Sequence, residues 1–340
     1  MKIRMAIIGC GFWSGFQTAA WKELDDHVQI VACCDADMEK AEAMAKRFDI
    51  PHVYGDARTL FDSHELDVVD IITNVETHAS LSYLAASHQV NIICQKPLAP
   101  DLQTATMMVN YAADQGVSLY VHENFRWQLP IRRLKQILEG DIIGRPFKGH
   151  IKFCSSFPVF DNQPFLAELD QFILSDVGTH ILDVARFLFG EASALSCHTK
   201  TINQAIKGED VANVLMVMGE GVHCYAEMSY ASIWEHENFP ETYVMVEGER
   251  GSVYLGPGAV ISTTNTTGTS REKLDVHSFS WADPEYDWVH SSIYTCNQNL
   301  LSGLLKQGQV ETTGDDNLRT LQLVFDAYES AATGRMIQYP

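Results

Sequence analysis

The chain has little positive charge. Among its 340 residues, 24 are Lys or Arg and 44 are Asp or Glu, for a formal net charge of −20. A surplus of that sign keeps a protein dispersed and repels nucleic acid and anionic membrane, so neither is expected as a partner. Long apolar runs are also missing, since no stretch approaches the roughly 18 residues that a membrane span needs. Lys2 and Arg4 precede an apolar run, but glycines interrupt it too soon for a signal-peptide core. The eight cysteines contain no C-x-x-C pair, which argues against a zinc ribbon or a redox dithiol. Their scatter through strand-like apolar settings predicts reduced thiols in a cytoplasmic enzyme. Internal repeats and low-complexity tracts are absent as well.

What is present begins at the N-terminus. An apolar strand ends on Gly9-Cys10-Gly11-Phe12-Trp13-Ser14. Closely spaced glycines between a strand and a helix form the turn that cradles a dinucleotide pyrophosphate. Gly9 makes the turn, Gly11 lets the phosphates approach the backbone, and the helix N-terminus offers unpaired N–H groups. The third glycine of the G-x-G-x-x-G pattern is absent; Ser14 holds its place and Gly15 follows. On its own the motif fits either a dinucleotide cradle or an ordinary strand–turn–helix.

The first third alternates apolar strands (5–8, 28–34, 52–54, 68–72, 91–94, 118–121) with helical patterns (to 21, 38–48, 79–87, 102–115). Near-continuous apolar strands in strand–helix alternation predict a doubly wound parallel sheet, a Rossmann domain over residues 1–122. Beyond Pro146 the strands lengthen and alternate (147–153, 194–201, 211–218, 223–230, 243–247), with one helix at 174–188 between them. Residues 261–270, polar and Thr-rich, read as a turn or loop, and helices over 293–306 and 317–332 close the chain. Residues 123–340 are therefore expected to form an α+β domain with a large, open, mostly antiparallel sheet that binds substrate and mediates oligomerisation.

Four constellations carry chemistry. Asp35 follows the second strand, where an acid accepts hydrogen bonds from the adenosine ribose and repels a 2′-phosphate, which predicts NAD as the cofactor. The other reading is a solvated turn aspartate; Asp37 is the expected cap of the next helix. Thr73, Asn74 and His78 follow the fourth strand at the carboxyl edge where open α/β sheets bind ligands, although a polar loop residue is usually just a cap. Gln95-Lys96-Pro97 ends the fifth strand, and Pro97 restricts Lys96 to few conformations. Asp176-Val-Gly-Thr-His180 opens the helix of the second domain, with carboxylate and imidazole at i,i+4 on one face, within reach of a shared ligand or of a structural hydrogen bond to each other. The cost of Gly178 within that helix predicts close approach by a ligand. Two residues do not complete a metal site, and no metal is expected. Trp234, Trp281, Trp288 and Tyr286 are candidates either to stack on a sugar or to fill cores and oligomer interfaces.

Together these elements resemble the glucose–fructose oxidoreductase/inositol dehydrogenase (Gfo/Idh/MocA) family. The resemblance covers essentially the whole chain. It rests on I-I-G-C-G, T-N-x-x-x-H at 73–78, K-P at 96–97, D-x-G-x-H at 176–180 and S-A-x-x-G-R at 330–335. It implies a nicotinamide-dependent enzyme that oxidises a sugar or polyol hydroxyl and forms a homodimer or homotetramer. It assigns Lys96, Asp176 and His180 to catalysis and substrate binding. Asn124 is placed near the nicotinamide, with Arg126 and Trp127 toward the substrate. Gly9, Gly11, Phe12, Trp13, Asp35, Thr73, Asn74, His78, Gln95, Lys96 and Asn124 are the implied cofactor contacts. The chain departs from the family at Gln95, where Glu is usual, at Asn74, often Pro, and at Ser14.

Phe12-Trp13, Gln-Lys-Pro and His-Glu-Asn-Phe-Arg-Trp are similar to the family's branch that oxidises aldoses at the anomeric carbon, with apiose the expected sugar. The expected product is a lactone. A free imidazole titrates near ~6.5 and a free lysine near ~10.4. On acidity alone His180 is the better base; on sheet-edge position Lys96 is the closer one. Polyol, inositol and dihydrodiol oxidation, NAD-using glycoside cleavage and a non-catalytic sensor are the alternative readings.

Overall fold

The computed structural model describes residues 2–235 and 239–339. Two units emerge. The first takes in the chain to Asn124 together with Phe279–Asp283 and His290–Leu321, and the second holds Phe125–Ser278, Pro284–Val289 and Gln322 onward. The expected boundary at 122/123 falls close to the first crossing, but segments 279–283 and 290–321, expected in the second domain, fold with the first. Their return is a long-range pairing with no local signature. Val121 N–H donates to the Thr312 carbonyl at 2.8 Å, and Tyr120 bridges antiparallel to Thr313, so the returning chain covers a sheet edge.

The first unit is built on β1 (Ile3–Ile8), α1 (Phe12–Lys22), β2 (Val28–Cys34), α2 (Met38–Phe48), β3 (His52–Tyr54), α3 (Ala57–Ser63), β4 (Val68–Ile71), α4 (Val75–Ser87), β5 (Asn91–Gln95), α5 (Leu102–Asp114) and β6 (Leu119–His122). The strands are parallel in the order β3-β2-β1-β4-β5-β6. Strand order reverses between β1 and β4, and in open α/β sheets that point opens a crevice at the carboxyl ends of the strands. Met5–Ile8 and Val68–Ile71 are buried on both faces, which explains their unbroken apolar runs.

Helix starts divide into two kinds. Asp37, Asp56 and Asp101 cap α2, α3 and α5, each carboxylate accepting a backbone N–H of the first turn. Helices α1 and α4, which follow the two switch-point strands, begin at Gly11 and Asn74 with no side-chain cap.

The second unit contains α6 (Leu129–Glu139), β7 (Pro146–Cys154), α7 (Val159–Asn162), α8 (Thr179–Phe189), β8 (Ala192–Lys200), β9 (Val211–Met218), β10 (Val222–Ser229), β11 (Tyr243–Gly248), β12 (Gly251–Gly256), β13 (Val260–Asn265) and β14 (Gly268–Lys273). Helices α9 (Asp287–Leu304) and α10 (Gly314–Thr333) are each divided between the two units, and β15 (Ile337–Gln338) belongs to the second. The nine strands run β14-β13-β12-β11-β7-β10-β9-β8-β15. The sheet is mixed: β7 and β10 pair in parallel, and every other neighbouring pair is antiparallel.

Residues 261–270, expected to be a loop, lie instead in the β13–β14 hairpin. Every residue of β14 is exposed, so no apolar alternation marks it; the β-branched Val260, Ile261, Thr263 and Thr264 of β13 and Thr269 of β14 suit strands all the same. The turn is closed by Asn265, whose side chain accepts the Thr267 N–H. Among the described residues no helix is long and apolar enough to cross a membrane.

Candidate active site

In the first unit the glycine turn is shaped by two different constraints. Gly9 has φ +97°, and a Cβ there would lie 2.3 Å from the Ile72 carbonyl oxygen, so only glycine fits. A Cβ on Gly11 would meet no protein atom within 4 Å. The backbone is open on that side, above an uncapped helix N-terminus, which is the room a pyrophosphate needs. Ser14, in the third glycine's place, is buried and returns its hydroxyl to the Gly11 carbonyl at 2.7 Å. The departure from three glycines is thereby absorbed within the helix.

Asp35 completes the cradle. One carboxylate oxygen accepts the Cys10 N–H of the glycine turn at 2.7 Å, and the other accepts the Asp37 N–H at 2.9 Å. These bonds fix an acceptor at the end of β2, where a ribose diol binds in such folds. Phe12 is 64% exposed. Trp13 contacts Phe16, whose ring stacks on His290 at 4.2 Å, so the first turn of α1 rests on the start of the returning segment. The cradle fits a dinucleotide on all these counts.

Thr73 and Asn74 leave β4 half-buried and exposed, respectively. His78 is different from the expectation of a ligand-facing loop residue. It is 1% exposed, with Nδ1 3.1 Å from the Pro97 carbonyl oxygen and Nε2 3.1 Å from that of Thr73. The ring is wedged between the loop after β4 and the loop after β5. Burial lowers its pKa, which favours a ring with one N–H, donated to one of these carbonyls at a time. Its contribution is to hold both loops in place.

Lys96 is half-buried at the end of β5, its backbone N–H bonded to the Gln95 side-chain oxygen at 3.1 Å. Behind it lies a chain of buried polar groups that motif reading missed. The Gln95 amide nitrogen lies 2.5 Å from Gln17 Oε1 and 3.3 Å from His122 Nδ1. Gln17 Nε2 donates to both oxygens of Asp70 at 2.9 and 2.7 Å, and the Trp21 indole N–H donates to the same carboxylate at 2.7 Å. At the other end His122 Nε2 lies 3.0 Å from Asn297 Oδ1. Burial pushes the Asp70 carboxyl up to about 7 against the pull of its Trp21 and Gln17 donors. The one sequence signal was an aspartate inside the apolar run Val68-Val-Asp-Ile-Ile72. Nearby, Asn124 is buried and donates to the Ser292 hydroxyl at 2.8 Å.

In the second unit, Asp176 lies in a single π-helical turn, Leu174–Gly178, that runs into α8. Such turns are rare and concentrate at functional sites. Glu209 anchors its start, accepting the Phe172 and Leu174 N–H groups and the Tyr328 hydroxyl. His180 lies in the first turn of α8, with its ring parallel to that of Phe125 (3.9 Å between centroids, 8° between planes). Burial, with the Asp176 charge adding to it, raises the Tyr230 phenol pKa. Gly178 does not face a ligand as expected: a Cβ there would meet Leu174 and Met228 side chains at 3.3 and 3.6 Å. Helix packing accounts for it.

Arg126 and Trp127 were expected to approach the substrate. The Arg126 guanidinium is buried in a two-pronged pair with Asp183, Nε to Oδ2 at 2.7 Å and Nη2 to Oδ1. Such a pair fixes the backbone after Asn124 rather than providing a mobile arm. Trp127 is largely buried, with the Arg132 guanidinium over its ring at 4.4 Å. Of the other aromatics, Trp281 donates to Glu23 and stacks on Phe279, and Tyr286 packs on Phe157 and Phe239. Trp234 lies on the sheet under the Lys152 ammonium at 3.6 Å.

Comparison with known proteins agrees with this geometry. Residues 3–123 match the profile described as an oxidoreductase family with an NAD-binding Rossmann fold, and residues 131–254 match the GFO/IDH/MocA C-terminal domain. The chain belongs to the GFO/IDH/MocA family. It is an NAD-dependent oxidoreductase. A D-apiose dehydrogenase of Rhizobium rhizogenes is 40% identical over 99% of this chain and 97% of its own length. A second D-apiose dehydrogenase, from Paraburkholderia graminis, is 40% identical over 99% of this chain and 90% of its own. Among solved structures, an oxidoreductase from Agrobacterium radiobacter in complex with NAD+, L-tartaric acid and magnesium superposes with a TM-score of 0.97. It is 40% identical, covering 99% of this chain and 98% of that one.

Proposed function

We propose that this NAD-dependent enzyme oxidises a free aldose at its anomeric C1 hydroxyl to the lactone, with D-apiose as its sugar. The observation that carries the reading is the near-full-length 40% identity to two proteins named D-apiose dehydrogenase. Hydride transfer is the chemistry NAD supplies when bound. The chain must then bind the hemiacetal, align C1 and take the hydroxyl proton. Lys96 binds and polarises the reacting oxygen, held at the end of β5 by the Gln95 amide and the His78 clamp. His180 shares the proton transfer, its ring plane set by Phe125, and Asp176 stabilises the charge the imidazole gains. Asn124, bonded to Ser292, and Gly11 and Asp35 hold the cofactor.

A homodimer or homotetramer is part of the same proposal. Tyr225, His150, Met245 and Tyr254 are cross-strand neighbours on one sheet face, and both tyrosines are 40% exposed. A partly exposed row with two tyrosines and a methionine suits a second copy.

Substitution tests the catalytic roles. Lys96→Ala and His180→Ala each lower kcat by about 100-fold or more, the range for positioned acid–base groups, while NAD affinity falls less. Near-wild-type kcat in His180→Ala would remove that residue from proton transfer.

A further inference from the structure

We infer that Asp70 and Gln17 are positioning residues for the reaction, setting the direction of a buried hydrogen-bond chain that dictates glutamine at position 95 and thereby holds Lys96. The inference rests on the reading of Lys96 as a reacting group. It follows from counting donors and acceptors along the chain, every member of which is buried.

Above about pH 7, where Asp70 is ionised, its carboxylate only accepts. Asp70 therefore requires the NH2 end of Gln17, which both of its oxygens receive. Gln17 then has only its oxygen to offer the next residue. That oxygen requires a donor at position 95, and the Gln95 NH2 supplies it at 2.5 Å. The Gln95 oxygen is left to face the Lys96 backbone N–H. The same NH2 group faces His122 Nδ1, which must accept, so the imidazole proton is on Nε2 and points to Asn297 Oδ1. Each link leaves the next a single choice.

A glutamate at 95 breaks the chain at one point. Its carboxylate would face Gln17 Oε1 and His122 Nδ1, acceptor against acceptor. In this chain the buried negative charge sits at Asp70 on β4 rather than at the end of β5. Gln95 and Asp70 are in that sense one feature, and moving the charge must move both residues.

The test is a charge swap, Asp70→Asn combined with Gln95→Glu. The amide introduced at position 70 keeps an oxygen for the Trp21 N–H and offers its NH2 to Gln17. Gln17 turns over and donates to the carboxylate introduced at position 95. His122 shifts its proton to Nδ1, Asn297 turns over to offer its Nδ2 to His122 Nε2, and that carboxylate retains an oxygen for the Lys96 N–H. Direction is reversed, but every buried link keeps a donor and an acceptor.

The single variants and the double are compared with wild type in kcat, KM for the sugar, thermal midpoint without cofactor, and NAD affinity by calorimetry. Gln95→Glu is expected to lower kcat by about 10-fold or more, with KM and NAD affinity changed less, as loss of aim at a reacting group does. It also lowers the thermal midpoint. The double variant is expected to recover the midpoint and to return kcat to within about 3-fold of wild type, since residues of one network are strongly non-additive. If the two single losses multiply in the double variant, the directed chain is refuted.

Should Gln95→Glu fail to fold, recovery of a folded double variant supports the proposal, and failure of both refutes it. Lys96→Ala separates the two readings. Full activity there removes the lysine from the chemistry, while the cofactor-free midpoint still reports on the chain.

Discussion

The imidazole of His180 lies flat against the phenyl ring of Phe125, 3.9 Å between centroids and 8° between planes. Phe125 begins the short turn whose next residue, Arg126, is pinned by Asp183. The histidine is thus aimed by a ring that is itself held by a buried ion pair. Phe125→Ala is expected to lower kcat by about 10-fold with little change in NAD affinity, because misplacement of a reacting group costs turnover more than binding. Equal losses in kcat and cofactor affinity would mean that the ring supports the fold and not the imidazole.

Two glycines of one turn predict opposite outcomes. Gly9→Ala places a methyl against the Ile72 carbonyl at positive φ, so the thermal midpoint falls and NAD binding is lost with it. Gly11→Ala meets no protein atom, so the midpoint holds while NAD affinity falls by about 10-fold or more. Calorimetry and thermal melts on the same preparations check the pair. Gly11→Ala with undiminished NAD affinity would move the pyrophosphate away from this turn.

Cofactor choice is expected to depend on Asp35. Its carboxylate, held by the Cys10 and Asp37 N–H groups, would face the 2′-phosphate of NADP. Asp35→Ser is expected to shrink the NAD preference in kcat/KM by about 10–100-fold, a difference of roughly 1–3 kcal/mol. An unchanged ratio would return Asp35 to the status of a turn residue.

Asp70 gives a stability signature. Burial lifts its carboxyl from the ordinary 3.8 to about 7 in the folded chain. Between those values the folded state keeps a proton that the unfolded state has lost, so this group's contribution to stability falls as pH rises through the window. The slope is at most ~1.4 kcal/mol per pH unit. Asp70→Asn lacks the decline. Denaturant midpoints of wild type and variant, taken across the window, therefore shift against wild type as pH rises. Parallel profiles would mean that Asp70 is ionised throughout.

Much of the fold was legible because its signals are local. Unbroken apolar strands, glycines at a strand end and Asp37 before a helix all report on their own neighbourhood. The β13–β14 hairpin was missed because its exposed threonines carry no burial pattern. The return of residues 290–321 to the first unit was missed because pairing of Tyr120 with Thr313 leaves no mark in either segment. Of the proposed catalytic residues, Lys96 and His180 stand out in the sequence as residue types at telling places, one in each unit. The donor order from Asp70 to Asn297 was not, since it joins side chains from five separate elements. Arg126 shows the reverse: a charged residue beside motif positions drew a substrate role, whereas its partner Asp183 makes it a structural brace.

The most direct measurement is the near-ultraviolet absorbance of reduced nicotinamide when the purified protein is mixed with NAD and a panel of aldoses, polyols and inositols that includes D-apiose. NADH formation is expected with D-apiose ahead of the other sugars, with a lactone as product and far less signal with NADP. Turnover confined to polyols or inositols, or none with any sugar despite NAD binding, would contradict it.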